Sequence, residues 1–288
     1  MATTVQQVYC MSAVQAAPRC APLSFSFSFS RGAQGECKAV ACATEFEGSE
    51  PAMGVAMRTP DWSQLDDNLR AAWRFLAFEC TEEPVQEGPP LLPPREVGLT
   101  VVLDLDETLS HCRLEQLEKK PDFCVQFEES KATGYVYVRP FAQLFLQVAA
   151  RLFEVVVFTA SSQGYADQVL DQLDPDRRCI SARLYRQHCV ERGGAFLKDL
   201  RRLGRPMERV VLVDNSPVSL ALCLDNGIVV SSWTAENRVD RELLELLLLL
   251  QQCVQQASVA QFLVERYGLR YMVDMLRQQP ELIGAEFG

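Results

Sequence analysis

Two aspartates that stand two residues apart are the first positions in the sequence that could do chemistry. Asp104 and Asp106 follow directly after the apolar run 99–103. Side chains two positions apart along an extended strand point to the same face. Carboxylates placed in this way suit two tasks, which are holding a hard cation through oxygen and dividing nucleophilic from acid–base work.

Two further apolar runs also end in polar residues. The run 155–158 leads into Thr159, and the run 210–213 leads into Asp214 and Asn215. Asp214 and Asn215 add oxygen atoms of the kind that Mg²⁺ takes as ligands. Because ligands bind beyond the carboxyl ends of the strands in an open α/β sheet, we expect these polar strand ends to meet at one site.

A lysine lies between the second and third of these strand ends. Lys198 would neutralise charge if it stood beside an aspartate nucleophile and a phosphate. Each feature is common by itself, because surface turns often contain an Asp-x-Asp or Asp-Asn sequence. Their occurrence together, in this order and at the ends of buried strands, favours a shared catalytic site.

Strands and helices alternate along the chain around these residues. Continuous apolar runs predict buried strands, and periodic apolar positions predict amphipathic helices. The alternation indicates an α/β fold with a central, mostly parallel sheet. The predicted strands are 99–103, 155–158, 210–213 and 228–230, with a hairpin at 123–127 and 135–138. The predicted helices are 140–152, 166–173 and two terminal helices within 240–267.

The first 60 residues differ in composition from the rest of the chain. Residues 1–60 have no acidic residue before Glu36, which is typical of a disordered tail or of a transit peptide. The Ser–Phe alternation at 24–30 would suit a strand, but the sequence offers no evident partner. Helical spacing predicts an amphipathic helix at 61–79, and the Pro-rich segment 82–94 predicts a linker. We therefore expect a tail (1–60), a helix with a linker (61–96) and one catalytic domain (97–288).

Composition excludes several classes of protein. The 288 residues are 48% hydrophobic and 23% charged, which argues against a fully disordered, fibrous or membrane-embedded chain. The net charge of −10 argues against general nucleic-acid binding. Eleven irregularly spaced cysteines and two histidines favour neither a disulfide scaffold nor a zinc site. No apolar stretch is long enough for a membrane span.

The motifs together resemble a known family. The segment Leu103-Asp104-Leu105-Asp106-Glu107-Thr108-Leu109 is similar to the DxDx(T/V) signature of the haloacid-dehalogenase-like superfamily. More narrowly, DLDETL, YVYVRP, FTAS, the stretch 197–200 and VDNSP resemble the FCP/SCP-type phosphatases, which act on phosphoserine in the carboxy-terminal domain of RNA polymerase II and on related phosphoproteins. The resemblance covers roughly 97–267. It implies a haloacid-dehalogenase-like three-layer fold with a central, mostly parallel sheet and a small β-hairpin insertion.

The resemblance also implies roles for individual residues. Asp104 would be the nucleophile that takes the phosphoryl group as an aspartyl phosphate. Asp106 would be the general acid to the leaving serine oxygen and then the general base for water. Thr108 would orient Asp106. Thr159 and Lys198 would bind the oxygens of the phosphoryl group in transit.

The same resemblance implies a magnesium site and a substrate contact. Mg²⁺ would be held by the Asp104 side chain, the Asp106 backbone carbonyl and Asn215, with Asp214 supporting it through water. Arg186 matches a family arginine near the substrate. The segment 113–134, where the family carries its substrate-reading insertion, matches no subfamily closely. We expect a phosphorylated protein or peptide as the substrate.

Two other functions remain open at this point. The first is a catalytically idle interaction module, of the type found in the mitochondrial import translocase. The transit-peptide interpretation of the tail favours this alternative. Such a module would also need a membrane span, and the sequence shows none. The second is a small-molecule phosphatase of the same superfamily. The small nuclear type of FCP/SCP phosphatase fits best by size, so we expect a nuclear or cytoplasmic protein, or an organellar one if the tail is a transit peptide. The sequence leaves the oligomeric state open.

The charge is distributed unevenly along the catalytic domain. The segment 177–209 holds ten basic and three acidic residues, a net charge of +7, and it contains both Arg186 and Lys198. A basic strip beside the site would attract a phosphorylated, acidic peptide. A basic face that serves only solvation is the alternative for most of these arginines.

Overall fold

The computed structural model describes residues 28–31, 37–40, 62, 67–80, 88–95, 98–127, 130–237 and 239–284. The chain divides into two units, one formed by Met11–Arg58 and one that contains Thr59–Gly288. In the first, β1 (Ser28–Arg31) pairs antiparallel with β2 (Cys37–Val40). The strand suggested by the Ser–Phe alternation therefore has a partner that the sequence did not reveal. Most of the expected tail lies outside the described residues.

The second unit carries the remaining elements. Its strands are β3 (Thr100–Leu103), β4 (Ser110–Arg113), β5 (Phe123–Gln126), β6 (Thr133–Val138), β7 (Glu154–Phe158), β8 (Ala182–Leu184), β9 (Val190–Arg192), β10 (Ala195–Leu197), β11 (Val210–Asp214) and β12 (Gly227–Val229). Its helices are α1 (Asp67–Arg74), which continues as a π-helical turn (Phe75–Glu79), α2 (Ala142–Leu152), α3 (Gln163–Leu173), α4 (Glu242–Val254), α5 (Val259–Tyr267) and α6 (Leu269–Gln278). The two predicted terminal helices correspond to α4 and α5, and α6 was not predicted.

Five parallel strands form the central sheet in the order β12-β11-β3-β7-β8. Every residue of β3, β7 and β11 is buried, as expected for parallel strands that are covered on both faces. The predicted α/β class with a central parallel sheet is therefore confirmed. The sequence missed β8, because its three residues (Ala-Arg-Leu) form no continuous apolar run.

Helices cover both faces of this sheet, which gives three layers. Alternate residues of β3 point to opposite faces. Val101 and Leu103 pack in one apolar cluster with residues of α2, α3, α4 and α5. Val102 packs in a second cluster with residues of α1 and α6. Trp73 and Leu76, from the predicted helix at 61–79, lie in this second cluster and are each only 2% exposed.

A small antiparallel sheet is inserted between β3 and α2. Its strands are in the order β4-β6-β5, and β5 and β6 form the predicted hairpin. Gly134 in β6 is a point of close approach, since a Cβ atom there would lie 2.7 Å from the sulfur of Cys112 and 2.9 Å from the ring of Phe127. No helix among the described residues is long and apolar enough to cross a membrane.

Candidate active site

The polar residues after three strands meet at the carboxyl edge of the sheet. The central position of β3, between β7 and β11, places Asp104 between Thr159 and Asp214. The backbone amide of Asp104 also donates to the carbonyl of Val213 over 2.9 Å, which continues the ladder to Asp104. The sequence-based expectation that these segments converge agrees with the sheet order.

Lys198 bridges two of these carboxylates. Its Nζ atom lies 2.6 Å from Oδ1 of Asp104 and 2.6 Å from Oδ2 of Asp214, and its side chain is fully buried. The segment after β10 is held in place by a hydrogen bond from the Lys198 amide to the carbonyl of Ser219. Burial by itself would lower the pKa of Lys198, but the two carboxylates raise it above its usual value, so the lysine stays charged.

At Asp214, burial outweighs the effect of the neighbouring cation on the pKa. Burial, with a contribution from the nearby Asp104 charge, raises the pKa of Asp214 to about 6, while Lys198 limits the rise. The backbone amide of Ser216 donates to its other oxygen over 2.8 Å. Lys198 is thus held between the side chains of Asp104 and Asp214.

Asp106 is held by three hydroxyl groups. Its Oδ1 atom accepts from the phenol of Tyr165 over 2.6 Å, and its Oδ2 atom accepts from Ser161 over 2.7 Å and from Thr159 over 3.4 Å. Burial and then the negative charge of Asp104 raise the pKa of Asp106. A raised pKa favours the protonated form, which suits a general acid.

Thr108 has different contacts from those that the resemblance implied. Its hydroxyl donates to Oδ2 of Asp104 over 3.1 Å and lies 3.5 Å from Oδ1 of Asn215. The turn after β3 bends Thr108 back towards Asp104, because Glu107 has a left-handed backbone (φ 63°). The expectation that Thr108 orients Asp106 is therefore corrected, since Asp106 is oriented by the three hydroxyl groups instead.

The oxygen atoms around Asp104 fit a divalent cation. The amide oxygen of Asn215 and a carboxylate oxygen of Asp104 both lie within 3.5 Å of the Thr108 hydroxyl, so two hard oxygen atoms of the kind that a divalent cation takes stand close together. Among the residues that the structure describes, no cluster of three or more His, Cys, Asp or Glu side chains forms a metal site. A cation here would accordingly need the Asn215 amide and a backbone carbonyl as well as carboxylates.

The amide group of Asn215 has partners that the sequence did not suggest. Its Nδ2 atom donates to Oγ of Ser232 over 2.8 Å and to Oε2 of Glu107 over 3.3 Å. His111 lies 3.8 Å from the other oxygen of Glu107. Burial, together with repulsion from Arg113, lowers the pKa of His111 to about 4, so this contact is not an ion pair at neutral pH.

A pocket of about 250 Å³ opens beside Asp106. Its lining comes from Asp106, Cys112, Arg113, Leu114, Phe127, Ser161, Ser162, Tyr165 and Arg186. The rings of Phe127 and Tyr165 stack at 5.4 Å. Arg186 donates from Nε to the carbonyl of Ala160 over 2.7 Å, and its guanidinium lies 5.0 Å from the ring of Phe196. Arg186 and Asp106 thus line the same pocket.

The sequence-based prediction did not include Tyr165 and Glu107 in the site. Both residues had a signal in the sequence. Tyr165 is the polar residue on the buried face of α3, one turn after the polar end of β7. Glu107 stands inside the DLDETL motif itself. Ser232 had no signal, because it lies in a segment without periodicity, 125 residues from its partner Glu107.

The basic segment 177–209 is largely neutralised by its surroundings. Arg183 pairs with Asp167 and Asp171, and Arg205 pairs with the buried Glu154. Further ion pairs or carbonyl contacts hold Arg177, Lys198, Arg201 and Arg209. Carboxylates from outside the segment thus offset much of its net charge of +7, which weakens the interpretation of the segment as a basic strip that attracts an acidic peptide.

The fold and the site together define an α/β protein of the haloacid-dehalogenase-like class. A family model described as NLI interacting factor-like phosphatase matches residues 99–260, more than half of the chain. The chain belongs to this family.

Curated relatives show the same likeness. "Probable C-terminal domain small phosphatase" of Dictyostelium discoideum is 46% identical over 60% of this chain and 57% of its own length. "CTD small phosphatase-like protein 2" of Dictyostelium discoideum is 40% identical over 69% of this chain and 36% of its own length. "Carboxy-terminal domain RNA polymerase II polypeptide A small phosphatase 1" of Homo sapiens is 44% identical over 54% of this chain and 59% of its own length. The chain thus spans less than two thirds of each of these relatives.

A solved structure described as "The Structure of Fcp1, an essential RNA polymerase II CTD phosphatase" aligns with 66% of this chain and 55% of its own, at 21% identity and a TM-score of 0.42.

Proposed function

We propose that this chain is a Mg²⁺-dependent protein serine/threonine phosphatase that acts through an aspartyl phosphate. The observation that carries the proposal is the 2.6 Å contact between Lys198 and Asp104 at the end of the central strand, with Asp106 two residues further on. A nucleophilic carboxylate, a buried cation and a carboxyl group with a raised pKa are the three groups that hydrolysis of a phosphate monoester needs. The names of the relatives support phosphoserine in the carboxy-terminal domain of RNA polymerase II, or in a similar phosphoprotein, as the substrate.

The first step transfers the phosphoryl group to the protein. An oxygen of Asp104 attacks the phosphorus atom, and the bond between phosphorus and the serine oxygen breaks. Asp106 gives its proton to the departing serine oxygen, because an alkoxide is a poor leaving group. Lys198 places positive charge beside Asp104 and beside the oxygens of the phosphoryl group, where Thr159 would also donate.

The second step releases inorganic phosphate. Asp106, now ionised, takes a proton from a water molecule whose oxygen attacks the phosphorus atom, and the bond to Asp104 breaks. Tyr165 and Ser161 hold the Asp106 carboxylate during this exchange of roles. When bound by Asp104, the Asp106 carbonyl and Asn215, with Asp214 supporting through water, Mg²⁺ would supply charge neutralisation for the phosphoryl oxygens.

The shape of the site favours a peptide over a small molecule. The insertion is a three-stranded sheet, and the pocket beside Asp106 opens to the surface with the exposed Leu114 and Arg186 on its lining. A phosphorylated segment could therefore lie across the site. The intact set of Asp104, Lys198 and Asp214 favours an enzyme over an idle interaction module. We propose a nuclear or cytoplasmic location for such a phosphatase.

The test is Mg²⁺-dependent release of phosphate from phosphoserine heptad peptides by the full chain, with and without a chelator. Asp104→Asn should abolish release, and Asp106→Asn should slow it. Phosphopeptide binding without any release would contradict the enzyme and favour the interaction module. A higher kcat/KM for small phosphate esters than for every phosphopeptide would favour the small-molecule phosphatase.

A further inference from the structure

The carboxylate of Glu107 is brought to its position by an unusual backbone. Glu107 has a left-handed φ of 63°, which non-glycine residues adopt at a cost of about 1 kcal/mol or more. Two backbone hydrogen bonds hold the turn, one from the Glu107 amide to the carbonyl of Ser110 over 2.6 Å and one from the Trp233 amide to the carbonyl of Glu107 over 2.8 Å. The second bond ties the DLDETL motif to the segment around Ser232.

A directional set of hydrogen bonds runs from this carboxylate to Asn215. The hydroxyl of Ser232 donates to Oε2 of Glu107. The Oγ atom of Ser232 can then accept a hydrogen bond from Nδ2 of Asn215 over 2.8 Å. The same Nδ2 atom donates to Oε2 of Glu107 over 3.3 Å. Both acceptors therefore select the NH₂ end of the Asn215 amide.

The opposite end of the amide then faces the reaction centre. With NH₂ directed to Glu107 and Ser232, Oδ1 of Asn215 is directed to the Thr108 hydroxyl, which also donates to Asp104. The flipped amide would put its oxygen against the oxygen of the Glu107 carboxylate, which is repulsive, and would turn its NH₂ group to the side on which a divalent cation would be held.

We propose that Glu107 and Ser232 are positioning residues, which fix the amide of Asn215 so that its oxygen is presented to the divalent cation. The inference rests on the proposed function, because it assigns Asn215 as a ligand of Mg²⁺. Partners of this kind around metal ligands contribute 10–100-fold in metal affinity or activity. The Glu107–Ser232 pair thus tunes how tightly the chain holds its cation, and neither residue is part of the lining of the pocket beside Asp106.

The experiment measures Mg²⁺ affinity directly, by calorimetry on the full-length chain. Glu107→Gln should weaken Mg²⁺ binding by about 10–100-fold. Ser232→Ala, which keeps the contact between Asn215 and Glu107, should weaken it less. At saturating Mg²⁺ both variants should regain most of the wild-type kcat. Ser110→Ala is the matched control, because its buried hydroxyl has no hydrogen-bond partner among the described residues.

A double-mutant cycle separates positioning from a general loss of structure. If Glu107 acts through Asn215, Glu107→Gln should add little to the loss of Mg²⁺ affinity in Asn215→Ala. Additive losses, or unchanged affinity in both Glu107→Gln and Ser232→Ala, would overturn the inference while phosphatase activity and the proposed function stand. A wild-type chain that binds no Mg²⁺ and releases no phosphate would overturn both.

Discussion

The phenol of Tyr165 donates a hydrogen bond of 2.6 Å to Asp106, the carboxyl group that we propose as the acid and base of the reaction. Tyr165 lies in the first turn of α3, and Asp106 follows β3, so the bond joins two elements of the catalytic domain. It opposes the effects of burial and of the Asp104 charge, which raise the pKa of Asp106. The position of this hydroxyl thus sets how strongly Asp106 holds its proton.

Tyr165→Phe should lower kcat by about 10-fold, since a hydrogen bond to a charged group is worth about 1.5–3 kcal/mol. Tyr165 lowers the pKa of Asp106, so its removal should raise that pKa further. The protonated acid needed in the first step would then persist to higher pH. The alkaline limb of the kcat/KM profile should accordingly move to higher pH.

Tyr185→Phe is the control for this change, because the Tyr185 hydroxyl donates to Asp167 and not to the acid. Its pH profile should match that of the wild type. An alkaline limb that stays in place in Tyr165→Phe would show that the tyrosine does not act on Asp106.

Lys198→Met should abolish phosphate release and also destabilise the chain. It would leave two carboxylates, Asp104 and Asp214, buried side by side without the cation. Breaking a buried ion pair on one side costs about 3–5 kcal/mol. Urea unfolding at neutral pH measures the loss, and the exposed Lys120→Met should show none. Adding Asp214→Asn to Lys198→Met should recover part of the stability; a further loss would contradict the ion-pair account.

Glu154 should make the stability of the domain sensitive to acid. Burial would raise its pKa, but hydrogen bonds from Arg205 and Thr100 and the charge of Arg205 lower it below 4.5. A folded-state pKa below the unfolded value adds stability above pH 4.5, and that stability is lost as the pH falls through the folded pKa.

Glu154→Gln should therefore lose about 1–3 kcal/mol of unfolding free energy at pH 7 and less at pH 3. Urea unfolding between pH 3 and pH 7 measures both values. The exposed Glu118→Gln serves as the control. An equal loss at both pH values would rule out the linkage.

Helix α1 should contribute to the stability of the catalytic domain, although it precedes the segment that the family model matches. Trp73 is 2% exposed and lies in the same apolar cluster as Leu197, the residue before Lys198. Trp73→Ala should cost about 3–5 kcal/mol. Arg74→Ala, an exposed position on the same helix, should cost little. A chain that begins at residue 97 should unfold at lower urea than one that begins at residue 59; equal midpoints would contradict this role.

Local patterns in the sequence were sufficient to predict four of the five strands of the central sheet and the edge at which the site lies. The runs before Asp104, Thr159 and Asp214 are continuous and apolar, and only strands buried on both faces need that pattern. The short strand Ala182–Leu184 escaped prediction because three residues are too few to show a hydrophobic pattern. The helix Leu269–Gln278 escaped prediction because many of its positions are polar.

Pairings between distant side chains could not be predicted in the same way. Thr108 was expected to orient Asp106 but binds Asp104, since the left-handed turn at Glu107 redirects it. The sequence left open whether the basic segment 177–209 attracts an acidic peptide, and it did not show that residues such as Glu154 and Asp167 pair with its arginines from other elements. Which charges meet depends on how helices and strands pack, and linear spacing does not contain that information.

The sequence by itself determined which residues stand at the carboxyl ends of the strands, and therefore the chemistry that the site can carry out. The hydrophobic pattern of a strand, and the strand–helix–strand order that connects parallel strands, can both be recognised in a single sequence. Only the tertiary structure decided the partners of those residues. Lys198 reaches Asp104 across 94 positions, and Ser232 reaches Glu107 across 125. Such contacts form because the sheet and its covering helices exclude water from these polar side chains. The buried side chains must then form hydrogen bonds with one another.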